Sequence, residues 1–293
     1  MKEEGYHNIG TFMRYKEWWN FMFFSWKESL VFSYTTVKSK IRDHLTSSIW
    51  DFKKDEKINL AFDSGVEAKE GDSTDLYSEG KWGNSSVKGK YEEGGWKLKI
   101  KNPQFSADLF YAPESPQKII EAFWDNRFKC ELYAKNRVTG TLKAFGRTYR
   151  VDTHGCREHT FCDFLRNVTW NWVLALHDDY SIVVHRGDYS GYDYKYAVVY
   201  TNEWVDLDAD VGFVVDEQHV LKTCRASSSN VDLKVFPIRH RYEHKKILMG
   251  LLVDAHYWEL AARISGSVTL DSAEEGKMPV DTYGIMTRSR MKW

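Results

Sequence analysis

What this 293-residue sequence has little of narrows its reading first. Net charge is nearly absent, with 41 Lys and Arg against 42 Asp and Glu. Such a balance gives no long-range attraction for polyanions or acidic lipid, so no nucleic-acid partner is expected. Long apolar runs are missing as well. The densest run, ending at Trp26, is broken by Lys27 and Glu28, well short of the roughly 20 residues that span a bilayer. No membrane span is expected. The charged start MKEEGYHNIG is followed by no apolar leader segment, which points to a cytoplasmic protein. Cysteine is scarce: Cys130, Cys156, Cys162 and Cys224 form no C-x-x-C pair and read as reduced thiols rather than a disulfide framework. GxSxG, GxGxxG, P-loop and HExxH patterns are all absent. That argues against a nucleophile-elbow hydrolase, nucleotide-driven chemistry and a zincin protease, and no cofactor is expected.

Aromatic residues are what the chain has in excess, at 15% of the sequence, with 12 Trp, 17 Tyr and 16 Phe. Rings of this size suit the pleated surface of a sheet, so a β-rich core explains most of them, and a cavity walled by π-faces is the sharper alternative. The segment YKEWWNFMFFSW (Tyr15 to Trp26) poses the question directly. Strand alternation places Glu17, Trp19, Phe21 and Phe23 on one side and Trp18, Asn20, Met22 and Phe24 on the other, so both faces are mostly apolar. With LVFSYTTV (Leu30 to Val37) following a short polar connection, the pattern predicts a β-hairpin covered on both sides. Glu17 then sits either at the strand's wet end or inside, facing a cavity.

Strand-length segments bounded by Gly, Asn, Asp and Pro recur along nearly the whole chain, which predicts an all-β protein of barrels or sandwiches. The stretch SPQKIIEAFWDN predicts one short helix, with Ser115 as N-cap, Pro116 at the first helical position and Ile119, Ile120 and Phe123 as its apolar stripe. Placed at mid-chain, it divides the sequence into an expected N-terminal β unit, 1–127, and a C-terminal one, 128–293.

Three segments could carry chemistry. DTHGCREHTFCDF (Asp152 to Phe164) is the densest polar cluster. Gly155 there permits a backbone bend. Arg157, Glu158 and His159 can form a charge-assisted network in which a carboxylate orients an imidazole and a proton moves near neutral pH; a solvated loop or a structural ion pair is the plainer account. The spacing of His154, Cys156, His159 and Cys162 matches no standard zinc pattern, so no metal is expected. TWNWVLALHDD puts Trp170, Trp172, Leu174 and Leu176 on one strand face, as core packing or as the indole wall of an apolar cavity. RHRYEHKK, with His240 and His244 at even spacing, reads as a solvated hairpin tip.

Taken together, the EWW strand, the run V-x-G-T-L-x-A-F-G-R-x-Y-x-V-x-x-x-G-x-R-E-H from Val138 to His159, WNWVLALHDD, and the last strand YGIMTRSRMKW resemble the lipocalin-like superfamily of AttH proteins and carotenoid 1,2-hydratases. Closer still is the β-rich N-terminal region of animal phosphoenolpyruvate-synthase-like proteins. The resemblance implies two calycin-type antiparallel β-barrels packed together, holding a lipophilic small molecule. It further implies either cofactor-free hydration, cyclisation or isomerisation of a polyene, terpenoid or polyketide, or non-catalytic lipid carriage or sensing. Carried over residue by residue, it assigns acid/base work to Glu158 and His159, their tuning to Glu17 and Arg157, and ligand contacts to Trp18, Trp19, Phe21, Trp170, Trp172 and Tyr283. Glu158 replaces the usual Asp, and Thr287 stands where many members keep Glu. A third class, a sandwich module binding carbohydrate through exposed Trp, predicts indoles open to solvent.

Overall fold

The computed structural model describes residues 15–40, 43–68, 76–80, 85–121, 128–163, 167–216, 218–250, 253–270 and 276–292. The chain divides into two compact units, Met1–Asp163 and Phe164–Trp293, and both are built from antiparallel strands.

The first unit contains β1 (Tyr15–Ser25), β2 (Leu30–Ser39), β3 (His44–Asp51), β4 (Glu56–Ala68), β5 (Leu76–Gly80), β6 (Ser86–Glu92), β7 (Gly95–Lys101), β8 (Phe105–Pro113), β9 (Lys118–Glu121), β10 (Phe128–Ala144) and β11 (Arg147–Asp163). The expected first hairpin forms, its turn closed by Ser29 N–H donating to the Trp26 carbonyl at 3.1 Å with Ser29 at φ 53°. Successive strands pair as neighbours from β1 to β8, β8 pairs with β10, and β11 pairs with both β10 and β1. That circuit is closed, so the first unit is a barrel, with β9 added to β10 beside it. Its interior is packed with alternate residues of β1, β2, β7, β8 and β10, among them Trp19, Phe21, Phe23, Phe32, Tyr34, Trp96, Leu98, Tyr111, Tyr133, Val138 and Leu142. An ionic group sits in the same interior toward the β10–β11 turn, where Asp51 accepts from Arg147 and from the Tyr149 hydroxyl, each at 3.0 Å.

The second unit contains β12 (Asn167–Leu176), β13 (Ser181–Tyr189), β14 (Tyr192–Tyr200), β15 (Trp204–Asp206), β16 (Gly212–Val214), β17 (Cys224–Ser227), β18 (Val231–Ile247), β19 (Val253–Thr269) and β20 (Lys277–Lys292). They form one nine-stranded sheet in the order β15-β14-β13-β12-β20-β19-β18-β17-β16. Val184 and Val199 near one edge share a core with Val231, Leu233 and Val235 near the other, so the sheet curls on itself. Its edges are the two three-residue strands, and among the described residues it does not close as the first does.

Three expectations change. The predicted helix is not formed where the chain is described. Lys118–Glu121 is a strand paired with β10, and Ser115 accepts from the Lys135 backbone N–H at 3.2 Å instead of capping a helix. The adjacent β-branched Ile119 and Ile120 favour extended backbone; residues 122–127 lie outside the described set. The division falls after Asp163 instead of at 127/128, because β10 and β11 complete the first barrel. Gly155 has no left-handed backbone. It is required for close approach, since a Cβ there would lie 2.4 Å from the Met22 carbonyl oxygen and 2.6 Å from Val138. Among the described residues no helix is long and apolar enough to cross a membrane.

Candidate active site

The paired register of β1, β11 and β10 builds the site. Trp19 lies opposite His159, Phe21 opposite Arg157, and Glu131 opposite His159 on the other side. Because side chains alternate, the odd positions Tyr15, Glu17, Trp19, Lys129, Glu131, Tyr133, Arg157, His159 and Phe161 share the barrel interior. Glu17 and His159 are completely buried. The first-strand acid and the mid-chain imidazole therefore meet, 142 positions apart in sequence, with His159 Nε2 2.6 Å from Glu17 Oε1.

His159 is held on three sides. Its Nδ1 lies 3.3 Å from Glu131 Oε2, and its ring stacks on the Trp19 indole with centroids 4.8 Å apart and planes 15° from parallel. The Nε2–Glu17 contact is a hydrogen bond, whereas Glu131 Oε2 stands at ion-pair distance from Nδ1 without one. Glu17 also accepts from the Tyr15 hydroxyl, and Glu131 pairs with Lys129 Nζ at 2.6 Å. Two buried carboxylates thus sit beside His159 and the partly exposed Lys129, and a buried charge without a partner would be costly. Arg157, also fully buried, lays its guanidinium 4.7 Å from the Trp96 ring centroid and 5.8 Å from that of Tyr133, a cation–π seat. Phe21 meets Tyr111 edge-on at 5.2 Å. Among the described residues, the indole N–H groups of Trp19 and Trp96 and the Tyr111 hydroxyl are buried without a hydrogen-bond partner. Buried donors of this kind call for a partner such as water or a bound polar atom.

Glu158 belongs elsewhere. As the neighbour of His159 in an extended strand, it projects from the barrel's opposite face, where it accepts from Thr160 Oγ1 at 2.6 Å, Asn20 Nδ2 at 2.7 Å and Trp18 Nε1 at 3.4 Å. Cys130 Sγ lies 3.7 Å from the same carboxylate. Burial first, and then the charge of Glu158, pushes the Cys130 and Cys156 thiols up, away from the reactive thiolate. The four metal-pattern candidates are split likewise: His159 points inward, whereas Cys156 and Cys162 lie on the outer face and His154 pairs with Glu114 at 3.0 Å.

Trp170, Trp172 and Tyr283 lie in the second unit, on the sheet face turned away from the core formed by Val173, Ala175 and Met286. Trp170 Nε1 donates to Thr287 Oγ1 at 3.3 Å. On that face, opposite Trp172, is His185, buried and stacked on Tyr196 with centroids 5.0 Å apart. Burial pushes His185 down to about 3 from its ordinary 6.5. Between those values the unfolded chain takes up a proton that the folded one refuses, so the stability contribution is complete above pH 6.5 and is lost as pH falls toward 3. At pH 5 the penalty is about 2 kcal/mol. Urea unfolding at pH 7 and pH 5 should show that loss in the parent and recover most of it in His185→Phe; equal losses in both would place the acid sensitivity elsewhere.

Sequence reasoning missed Glu131, Lys129, Tyr15 and the cation seat of Trp96 and Tyr133. A signal for the first two was present in KCELY (Lys129 to Tyr133), where charged residues alternate with Cys130 and Leu132 at the period of a strand.

A closed barrel of neighbour-paired strands followed by a curled antiparallel sheet is a tandem lipocalin-like fold. Solved structures of that kind superpose over most of the chain. An AttH protein from Nitrosomonas europaea matches with TM-score 0.65 at 13% identity, covering 94% of this chain and 92% of its own. Kievitone hydratase from Nectria haematococca matches with TM-score 0.68 at 12% identity, covering 93% and 88%. CghA with Sch210972 matches with TM-score 0.60 at 8% identity, covering 95% and 88%. At these identities the likeness is one of fold. No protein-family model and no curated protein matches the sequence.

Proposed function

We propose that the first unit binds a large lipophilic small molecule, a polyene, terpenoid or polyketide, and converts it by cofactor-free proton transfer leading to hydration, cyclisation or isomerisation. The observation that carries this reading is the fully buried His159 held between Glu17 and Glu131 with its ring on Trp19. In this reading the proton shared between His159 Nε2 and Glu17 is delivered to an alkene or enol carbon; Glu17, bridged to the Tyr15 hydroxyl, then takes a proton from the resulting cation or from the water that adds to it, and returns it to Nε2. Trp19 and Phe21 shape the apolar wall, and the indole face shields positive charge developing on the substrate. Arg157 sets the field of the site from its seat on Trp96. One fold neighbour is named a hydratase, which supports the hydration arm by analogy of fold. Glu158, on the outer face, is assigned no proton transfer here. Trp18 beside it and Trp170, Trp172 and Tyr283 of the second unit are left out of the reacting set.

Incubation with a panel of polyenes and enolic polyketides, read by mass and ultraviolet absorbance, tests the reading. Glu17→Gln should lower turnover about 100-fold or more, the usual contribution of a positioned acid or base, while Glu158→Gln stays within about threefold. The reverse ranking would move the chemistry to the outer face. The placement of a carboxylate oxygen within 3.3 Å of each ring nitrogen of His159 favours one alternative, a fixed structural network in a lipid carrier acting in the cytoplasm. Native mass spectrometry of protein isolated from its own cells separates the two, since a carrier retains an unaltered lipid and none of the panel is converted.

A further inference from the structure

The core face of β18 and β19 changes character along its length. At one end it carries Leu233 and Val235 facing Ile264 and its neighbours. Past the register shift between Pro237 and Arg239 the same face presents His240, Tyr242 and His244 on β18 and Trp258, His256 and Asp254 on β19. His244 lies directly opposite His256, and Asp254 follows two positions along. The imidazoles stack with centroids 4.0 Å apart. One carboxylate oxygen, Asp254 Oδ1, sits 2.7 Å from His244 Nε2 and 3.3 Å from His256 Nε2.

We propose that His244, Asp254 and His256 form a site for one divalent transition-metal ion of the zinc class. Their three donor atoms lie within 4.8 Å of one another. A tetrahedral ion with ligands at about 2.0–2.2 Å sets donors roughly 3.3 Å apart, so closure around the ion takes shifts of about an ångström or less. Two imidazoles and one carboxylate suit zinc, nickel or copper, and the oxygen-poor set disfavours calcium and magnesium.

A second shell is already in place. The Tyr242 hydroxyl oxygen lies 2.7 Å from His256 Nδ1, and an Nδ1–H donating to it turns the Nε2 lone pair toward Asp254, as in metal-bound histidines. Burial, and then the neighbouring His244, push His256 down from its ordinary value, while the hydrogen bond from His244 holds Asp254 down. A neutral imidazole and an ionised carboxylate are the forms a metal needs. Ligand side chains are 19–35% exposed, which leaves an entry path and a fourth position open to solvent. Charged groups around it include Lys246 and Arg290, both of which act on His256, and Lys292, opposite Asp254 in register. They weaken cation affinity, so a dissociation constant in the micromolar range is expected rather than that of a closed structural site. They also define the rival occupant, an inorganic anion.

Calorimetric titration of chelator-treated protein with zinc chloride, repeated with cobalt chloride for its absorption spectrum, tests the site. The expected result is one zinc per chain with a dissociation constant of about 10 µM or below. His256→Ala and Asp254→Asn should weaken it about 100-fold, and Tyr242→Phe about tenfold through the outer hydrogen bond. Thermal melts of the variants without metal should stay near the parent's, since these side chains are partly exposed. Zinc binding unchanged in the ligand variants, zinc binding only in the millimolar range, or saturable inorganic phosphate binding without zinc binding would each overturn the proposal.

Discussion

His159→Ala is expected to lower stability by about 3–5 kcal/mol, the range for removing one partner of a buried ion pair. The alanine leaves Glu17 and Glu131 across an emptied space in the barrel interior, both previously within 3.3 Å of the imidazole. Lys129 still serves Glu131 and the Tyr15 hydroxyl still serves Glu17, but the charge that linked the two acids is gone, along with the stacking on Trp19. Urea denaturation at neutral pH measures the loss. Glu17→Gln in the same background should return part of it, because the orphaned charge disappears. A coupling below about 0.5 kcal/mol between the two substitutions would show that they do not act as one unit.

Trp96→Ala should cost a similar amount, about 3–5 kcal/mol, by a different route. The indole is buried in the barrel core, meets Tyr133 edge-on at 4.7 Å and carries the Arg157 guanidinium on its face. Cavity formation supplies most of the loss, and uncovering a buried cation adds to it. Trp26, 43% exposed, is the control: its alanine variant should change the urea midpoint little, within about 0.5 kcal/mol. Equal effects at the two positions would mean that the interior is not packed as described.

The first hairpin and the all-β class were legible because alternation along a strand is a local property with a fixed period of two; alternation put Glu17 on the face of Trp19 and Phe21 but left open whether that end of the strand was wet or buried. The same rule, applied to adjacent residues, already separated Glu158 from His159; pairing them as one acid/base set followed the motif rather than the geometry of an extended chain. Glu131 was harder to see. Its role depends on β10 lying beside β11 in a particular register, and register is set by cross-strand packing that a single sequence does not display. The helix reading at Ser115 failed for a related reason. Capping and a Pro are weak local signals, and the open edge of β10 at Lys129–Leu132 recruited Lys118–Glu121 as a strand.

Pairing of β1 with β11 ties the order of synthesis to the order of assembly. Nine described strands, β2 to β10, emerge from the ribosome before the first meets its last neighbour, and contacts so remote in sequence form slowly because loop closure precedes their reward. Until then Glu17 is a carboxylate on an unfinished edge, free in water. Ring closure and the meeting of Glu17 with His159 are consequently a single late kinetic event, and a nascent chain halted before β11 would hold neither.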